Sequence, residues 1–429
     1  MDTNDLMENV RSFFIGQYKG VENSSSFICF EPLGSMIDPD DFKDENDAIS
    51  EIKATEQLSI LGDRLPQIDT IFFTNTSKLS SVYEELIESA VFSGSKISVE
   101  DKTPYISKFS EVKNDTLQKF NEVKKASIAT PEGDYLPVYG YPKKWYSPDS
   151  PFWVNKSFSA TENIKQPPPQ PANNLEKPLP IVWRTKIMAN PEILKAVETA
   201  PPNSTATAES IIVNAGYTSV MNKNNALKIG GLRFSQPLRM ARVADPVLAR
   251  AATFEPVEEK PKTAINNLSI LKHINFADRI KLTNHILQQD TAPVEPVRSN
   301  GFSMSFQYCI VYLDRPWFDT SLFHYANVWY SLSLGENYFS TGAKDQSNTG
   351  VLKCIPTAMI LIKDLKITAA WTAEDKEMAN NSVGLGIFNI SGSTINSNNE
   401  LVNPGMQIVG WVCDVLPRLP IMNDPNIIP

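Results

Sequence analysis

The chain has 429 residues, 41% of them apolar and 21% charged, with three histidines and a formal charge of −9. That length exceeds one ordinary core and predicts two or three domains, while the acidic balance disfavours nucleic acid as a partner, because phosphate binding needs a concentrated basic face. No apolar run approaches the roughly 18 residues that span a bilayer, and the acidic start "MDTNDLMENVRSFF" lacks the basic and apolar segments of a secretory signal.

In chain order, "SSFICFEPLG" (25–34) predicts a short buried strand. "IDPDDF" carries helix-start chemistry, with Asp38 as cap, Pro39 in the first turn and Asp40 and Asp41 at the positive helix end. "QIDTIFFTN" (67–75) predicts another strand, and "SVYEELIESAVF" a helix with Ser81 and Glu84 at capping-box spacing. Residues 106–125 read as an amphipathic helix. The aromatic, proline-rich block 135–153 fits no regular element. The stacked prolines of "KQPPPQPANNLEKPLP" (165–180) fix φ and remove amide donors, which predicts an extended linker or strap. Helices are expected after Asn190 and over 276–290, capped by Asn275.

Strand-like runs follow at 302–313, 358–371, 383–390 and 406–416. From Phe302 to Tyr312 every second residue is large and apolar, predicting one face that is apolar throughout. In the second run, Met359, Leu361, Leu365, Ile367, Ala369 and Trp371 are expected to share a face, with Lys363 marking a bulge or an edge. In the fourth, Val409, Trp411, Cys413 and Val415 oppose Met406, Ile408, Gly410 and Val412, which predicts burial on both faces. Arg315-Pro316 stops the first of these strands.

The fold class these elements predict is α+β and multidomain, with a mixed α/β N-terminal part and a β-rich, antiparallel, sandwich-like C-terminal domain. The expected segments are 1–164, acidic; 165–180, the linker; 181–296, helical or irregular and mildly basic; and 297–429, the sandwich. Their charges divide as −10 for residues 1–160, +5 for 181–300 and −4 for 301–429, a segregation that favours contacts between segments or copies.

Chemistry-bearing residues are sparse. His273 and His285 lie twelve apart, about 120° around a helix, and cannot share a metal there. His324, near Asp319 and with Cys354 elsewhere in the chain, is the one nucleophile or acid–base arrangement worth weighing against a histidine satisfied by backbone. The cluster Asp38, Asp40, Asp41, Asp44, Glu45 and Asp47 places Phe42 and Lys43 where a calcium loop needs an oxygen ligand and glycine, so helix capping accounts for it better. "SVGLGIFNISG" has Asn389 where a dinucleotide fingerprint requires glycine. Cys29, Cys309, Cys354 and Cys413 never occur as CxxC and read as free thiols of a reducing compartment. No cofactor and no metal are expected.

Trp317, Phe318, Trp329, Tyr330 and Tyr338 follow the strand over 302–313 and are the candidate contacts for a ligand or partner, unless they pack as a small core of their own. The leading expectation is a non-enzymatic interaction or assembly protein that self-associates or docks on a larger protein complex. Its rivals are a membrane-acting, pore-forming toxin or secreted effector, with 302–312 and 383–399 as hairpins; a glycan-binding sandwich using Trp317 and Trp329; and a hydrolase centred on His324. The expected location is cytoplasmic, although cargo of a signal-independent secretion machine has the same sequence character.

Overall fold

The computed structural model describes residues 3–17, 26–66, 77–93, 102–128, 134–159, 182–185, 187–189, 263–265, 276–280, 294–331, 334–345 and 347–423. The expected linker over 165–180, the strand over 67–75, the helix after Asn190, and His273 and His285 lie outside these residues.

The helices are α1 (Thr3–Gln17), α2 (Glu51–Gly62), α3 (Leu79–Ser89), α4 (Lys102–Lys124) and α5 (Ala373–Asn381). The strands are β1 (Ser26–Ile37), β2 (Ala90–Phe92), β3 (Tyr139–Tyr141), β4 (Val154–Phe158), β5 (Val182–Thr185), β6 (Ile187–Ala189), β7 (Thr263–Ile265), β8 (Val294–Pro296), β9 (Asn300–Asp314), β10 (Trp329–Ser331), β11 (Cys354–Ala370), β12 (Ser382–Leu385), β13 (Phe388–Asn389), β14 (Glu400–Asn403) and β15 (Met406–Val415). The chain is α+β, and every strand pair in its sheets is antiparallel.

Seven strands form the main sheet in the order β1-β15-β11-β9-β3, with β4 also on β9 and β14 also on β11. Three of its strands, β1, β3 and β4, come from before residue 165 and four from after 297. The expected N-terminal and C-terminal regions therefore share one sheet. A smaller sheet, β13-β12-β5-β8, packs on one face together with Leu6, Val10 and Phe14 of α1. Phe42, Ala54, Leu58 and Leu61, from the turn before α2 and from α2 itself, cover the other face with Trp145 and Phe276. A third apolar cluster joins α3, α4, the 3-10 helix Ser321–Val328 and the β2–β10 pair.

Two bulges redirect side chains that strict alternation would leave in place. At 363–366 β11 gains one residue against β9, and Asp364 takes φ +52. Met359 and Leu361 consequently face α2, whereas Leu365, Ile367, Ala369 and Trp371 face the small sheet. Lys363 does mark a bulge, but the six residues do not share a face. In β15, Val409 is extra between Ile408 and Gly410, so Met406 and Ile408 lie on the same side as Trp411 and Cys413. Both faces of this strand are buried, with a different partition from simple alternation.

β9 carries opposite gradients on its two faces. Phe302, Met304 and Phe306 are buried, Tyr308 and Ile310 half-buried, and Tyr312 is 51% exposed. On the reverse face Ser303, Ser305 and Gln307 are half-buried, while Cys309 and Val311 are buried. The face is thus not apolar-buried to its end, because the small sheet and α1 cover only its first half.

Helix starts follow side-chain chemistry where the sequence supplies it. Asp38 and Asp41 form a reciprocal capping box, but for a single 3-10 turn over Pro39–Phe42. Ser50 caps α2 and Thr372 caps α5. The Ser81–Glu84 box does not form, because α3 begins at Leu79 and Lys78 supplies no side-chain cap. Instead Asp63, just past α2, accepts from the Ser80 amide (2.7 Å) and hydroxyl (2.7 Å) and from the Leu136 amide (3.1 Å). One carboxylate therefore links α2, α3 and the segment leading to β3.

Candidate docking face at the open margin of the sheet

The aromatic residues after β9 pack inward. Trp317 and Trp329 are fully buried and Tyr330 nearly so; Phe318 and Tyr338 are half-buried against the same cluster. Both indoles are satisfied internally, Trp317 donating to the Pro137 carbonyl (3.0 Å) and Trp329 to that of Leu322 (3.1 Å). Tyr83 lies between Trp317 and Phe318 and exchanges hydrogen bonds with the Asp319 backbone. Stacking a sugar on either tryptophan would require opening this core.

His324 is exposed on the 3-10 helix. The Asp319 carboxylate accepts from Ser321 and from Lys119 (3.0 Å), and Cys354 is fully buried in the sheet core. The four cysteines are free thiols, Cys29 half-buried and the others buried. Burial pushes Cys309 up to about 11, and burial followed by the neighbouring Cys354 thiol holds Cys413 well above the usual thiol range, which makes both poor nucleophiles.

The acidic cluster is employed locally. Asp38 and Asp41 cap the 3-10 turn, Asp41 also pairs with Arg279, and Asp44 accepts from the amides of Asn46 (2.9 Å) and Ala48 (3.1 Å). Lys43 bridges Asp40 and Asp47, each at 3.1 Å. Among the described residues no group of three His, Cys, Asp or Glu is placed to hold a metal ion.

The Gly384–Gly386 run is the β12–β13 hairpin, with Gly386 at φ +59 in its two-residue turn. Asn389 is buried there. It receives the Gln407 amide at its carbonyl (3.0 Å), donates its own backbone amide to Gln407 (2.8 Å), and donates its side chain to the Gly34 carbonyl (3.0 Å). The two stretches that could be imagined as membrane hairpins are thus a strand paired on both sides and a hairpin pinned to the sheet. Among the described residues no helix is long and apolar enough to cross a membrane.

Tyr105, Ile106, Val351 and Val402 are exposed elsewhere, and the larger group of exposed apolar side chains among the described residues lies at the margin formed by β3 and β4. These two short strands pair end to end along β9, Tyr141 opposite Tyr312 and Val154 opposite Tyr308. Among the described residues no strand pairs with their outer sides. β1 ends the sheet on the opposite side, where Gly34 donates to the Ile387 carbonyl at 2.8 Å. Gly140 is required in β3 because a Cβ there would stand 2.5 Å from Trp145 Nε1 and 3.1 Å from Leu58 Cδ2. That close approach seats β3 on α2 and turns Tyr139 and Tyr141 to the other face.

Along this margin Tyr139 (38%), Tyr141 (43%), Tyr312 (51%), Phe152 (50%) and Val154 (50%) are exposed, as are Ile49 (46%) and Ile52 (79%) at the start of the adjoining α2. A notch of about 200 Å³ opens between α2 and β3, with Ala54, Leu58, Trp145 and Tyr146 in its wall and Glu51, Lys143 and Lys144 among its polar groups. Glu51 meets Lys143 at 3.0 Å and holds its ammonium above the ordinary lysine range. Burial, and then the charge of Glu51, raise the Tyr146 phenol, so it stays a neutral hydrogen-bonding group.

Trp317, Phe318, Trp329, Tyr330 and Tyr338, candidate contacts unless they packed as a small core, do form that core, and exposed tyrosines stand instead at Tyr139, Tyr141 and Tyr312. The signal was present in "YLPVYGYPKKWY" as alternating tyrosines around a glycine, obscured by the prolines on either side. No family model, no curated protein and no solved structure matches this chain.

Proposed function

We propose that this chain is a non-enzymatic docking and assembly protein that binds a protein surface through the β3–β4 margin. The observation that carries the reading is the group of exposed Tyr139, Tyr141, Tyr312, Phe152 and Val154 along the β3–β4 side of the main sheet. Contiguous exposed apolar surface of this kind marks interaction sites in soluble proteins, and tyrosine supplies contact area with a polar tip at low entropic cost. The buried carboxylates and thiols support the same reading, because they are committed to packing and capping. Four free cysteines favour a reducing compartment, which we take to be the cytoplasm.

Sedimentation velocity at low and high salt, combined with pull-down, tests this. Wild type should migrate as an assembly or retain a protein partner, and Tyr141→Ser/Tyr312→Ser should lose that association with an unchanged melting temperature. A wild type that is monomeric at both salts and recovers no partner would sink the proposal, as would a double variant that associates like wild type.

A further inference from the structure

We infer that the occupant of this margin is a second copy of the chain, related by a two-fold axis, with Ile52 of each copy seated in the α2–β3 notch of the other. The inference rests on the docking reading above and specifies its partner.

Shape comes first. The notch, at about 200 Å³, is smaller than the ~300–1,000 Å³ of small-molecule sites and suits one side chain. An apolar side chain in a pocket is how interfaces concentrate their binding energy. Ile52 is 79% exposed, the largest exposure among the large apolar side chains described. It is held out on the first turn of α2, which Ser50 fixes by accepting from the Ile52 amide at 3.2 Å. The residue before it, Glu51, lines the notch of its own copy. Plug and socket are therefore neighbours, the arrangement in which a two-fold operation lets each copy fill the other.

Charge agrees with shape. The hairpin preceding α2, tied by the Lys43–Ile49 bridge, carries the exposed Glu45 and Asp47. Across the notch, the turn after β3 carries the exposed Lys143 and Lys144. Glu51–Lys143 joins the two corners within one copy. The same two-fold that exchanges Ile52 brings each acidic tip toward the other copy's lysines. Local attraction of this sort fixes orientation even between molecules that both carry −9.

The test is the dissociation constant of the full chain by sedimentation equilibrium. Ile52→Asp should weaken self-association about 100-fold without loss of melting temperature, because an acid on the first turn of a helix is favourable. Lys143→Glu/Lys144→Glu and, separately, Glu45→Lys/Asn46→Lys should each weaken it about tenfold or more, and an equimolar mixture of the two should restore the dimer. The second pair leaves Asp44 and Asp47, which hold the turn, in place. A monomeric wild type at about 100 μM, an Ile52→Asp variant that dimerises normally, or a mixture that stays apart overturns the inference. Loss of association in Tyr141→Ser/Tyr312→Ser with none in the Ile52 and charge variants would overturn this arrangement and leave the docking face standing. Association unaffected by any of them would remove both.

Discussion

Glu31 offers the sharpest test of the packing. The bulge in β1 between Phe30 and Ser35 folds residues 31–34 against the sheet and buries the Glu31 carboxyl. There it accepts from Trp411 Nε1 at 2.9 Å and Ser35 Oγ at 2.5 Å. Burial outweighs these two hydrogen bonds and a third from the Ser35 backbone, and pushes its pKa from 4.5 to about 7. The unfolded chain thus gives up this proton near pH 4.5 and the folded chain near 7. Between those values the folded state binds the extra proton, so the stability contributed by the group is complete below pH 4.5 and is lost as pH rises through 7. At about 1.4 kcal/mol per pH unit, the interval from 4.5 to about 7 is worth about 3 kcal/mol. Glu31→Gln keeps an acceptor for Trp411 and removes the titration. Urea unfolding of both proteins at pH 5 and pH 8 should show the variant gaining about 2–3 kcal/mol on wild type between the two. A difference that changes by less than about 0.5 kcal/mol across that range would refute a buried, proton-holding Glu31.

Asp375 shows the opposite sign. Burial pushes it up, but bonds from the Ser299 hydroxyl, Trp183, and the Ser299 and Arg298 amides outweigh that and leave it below the ordinary range. Its stabilisation is present above the unfolded value and is lost as pH falls through the folded one; Asp375→Asn should cost about 3 kcal/mol at pH 7 and show a smaller loss on acidification, read by thermal melts from pH 7 to 3. Arg315 is buried with its guanidinium on the carbonyls of Gly62 (3.0 and 3.1 Å) and Pro356 (2.6 Å). Arg315→Met strands both carbonyls and should cost about 3–5 kcal/mol in denaturant unfolding, whereas a loss under about 1 kcal/mol would show the bonds to be dispensable. Lys156→Val in β4 should raise light scattering on incubation without lowering the melting temperature, since edge lysines guard against strand addition; unchanged scattering would remove that role.

The central strands were legible because their patterns are strong. β9, β11 and β15 were placed from apolar runs and alternation, and Lys363 marked its bulge. What alternation could not supply was the parity change after each bulge, because one extra residue is invisible unless the partner's register is known. α2 escaped notice for a different reason. From Gln57 to Gly62 every residue is buried, so no polar face remains to produce a 3.6-residue period. The α3 cap was misassigned to Ser81 because the actual acceptor, Asp63, comes from another element. β3 and β4 were missed because three and five residues broken by glycine, lysine and nearby prolines carry little strand signal. The proposed docking face lies on those two strands, and only their pairing with β9 gathers Tyr139, Tyr141 and Tyr312 on one side.

The chemistry of this margin also limits how a partner can meet it. Strand addition would bring a backbone against β4, whose middle residue is Lys156, set over the Phe13 and Phe158 rings at 5.1 and 4.8 Å. In a two-fold antiparallel pairing of β4 with its copy about that residue, the two ammonium groups would stand opposite one another, a like-charge contact that destabilises cross-strand pairs. β3 is only three residues long, and cis Pro142 follows it directly without an amide to donate. The margin is therefore poor at extending the sheet while remaining rich in exposed rings. In the docking proposal side chains, not backbone, therefore carry the contact, and the tyrosine hydroxyls let the same surface face water. That division of labour separates a specific docking face from an aggregation-prone edge.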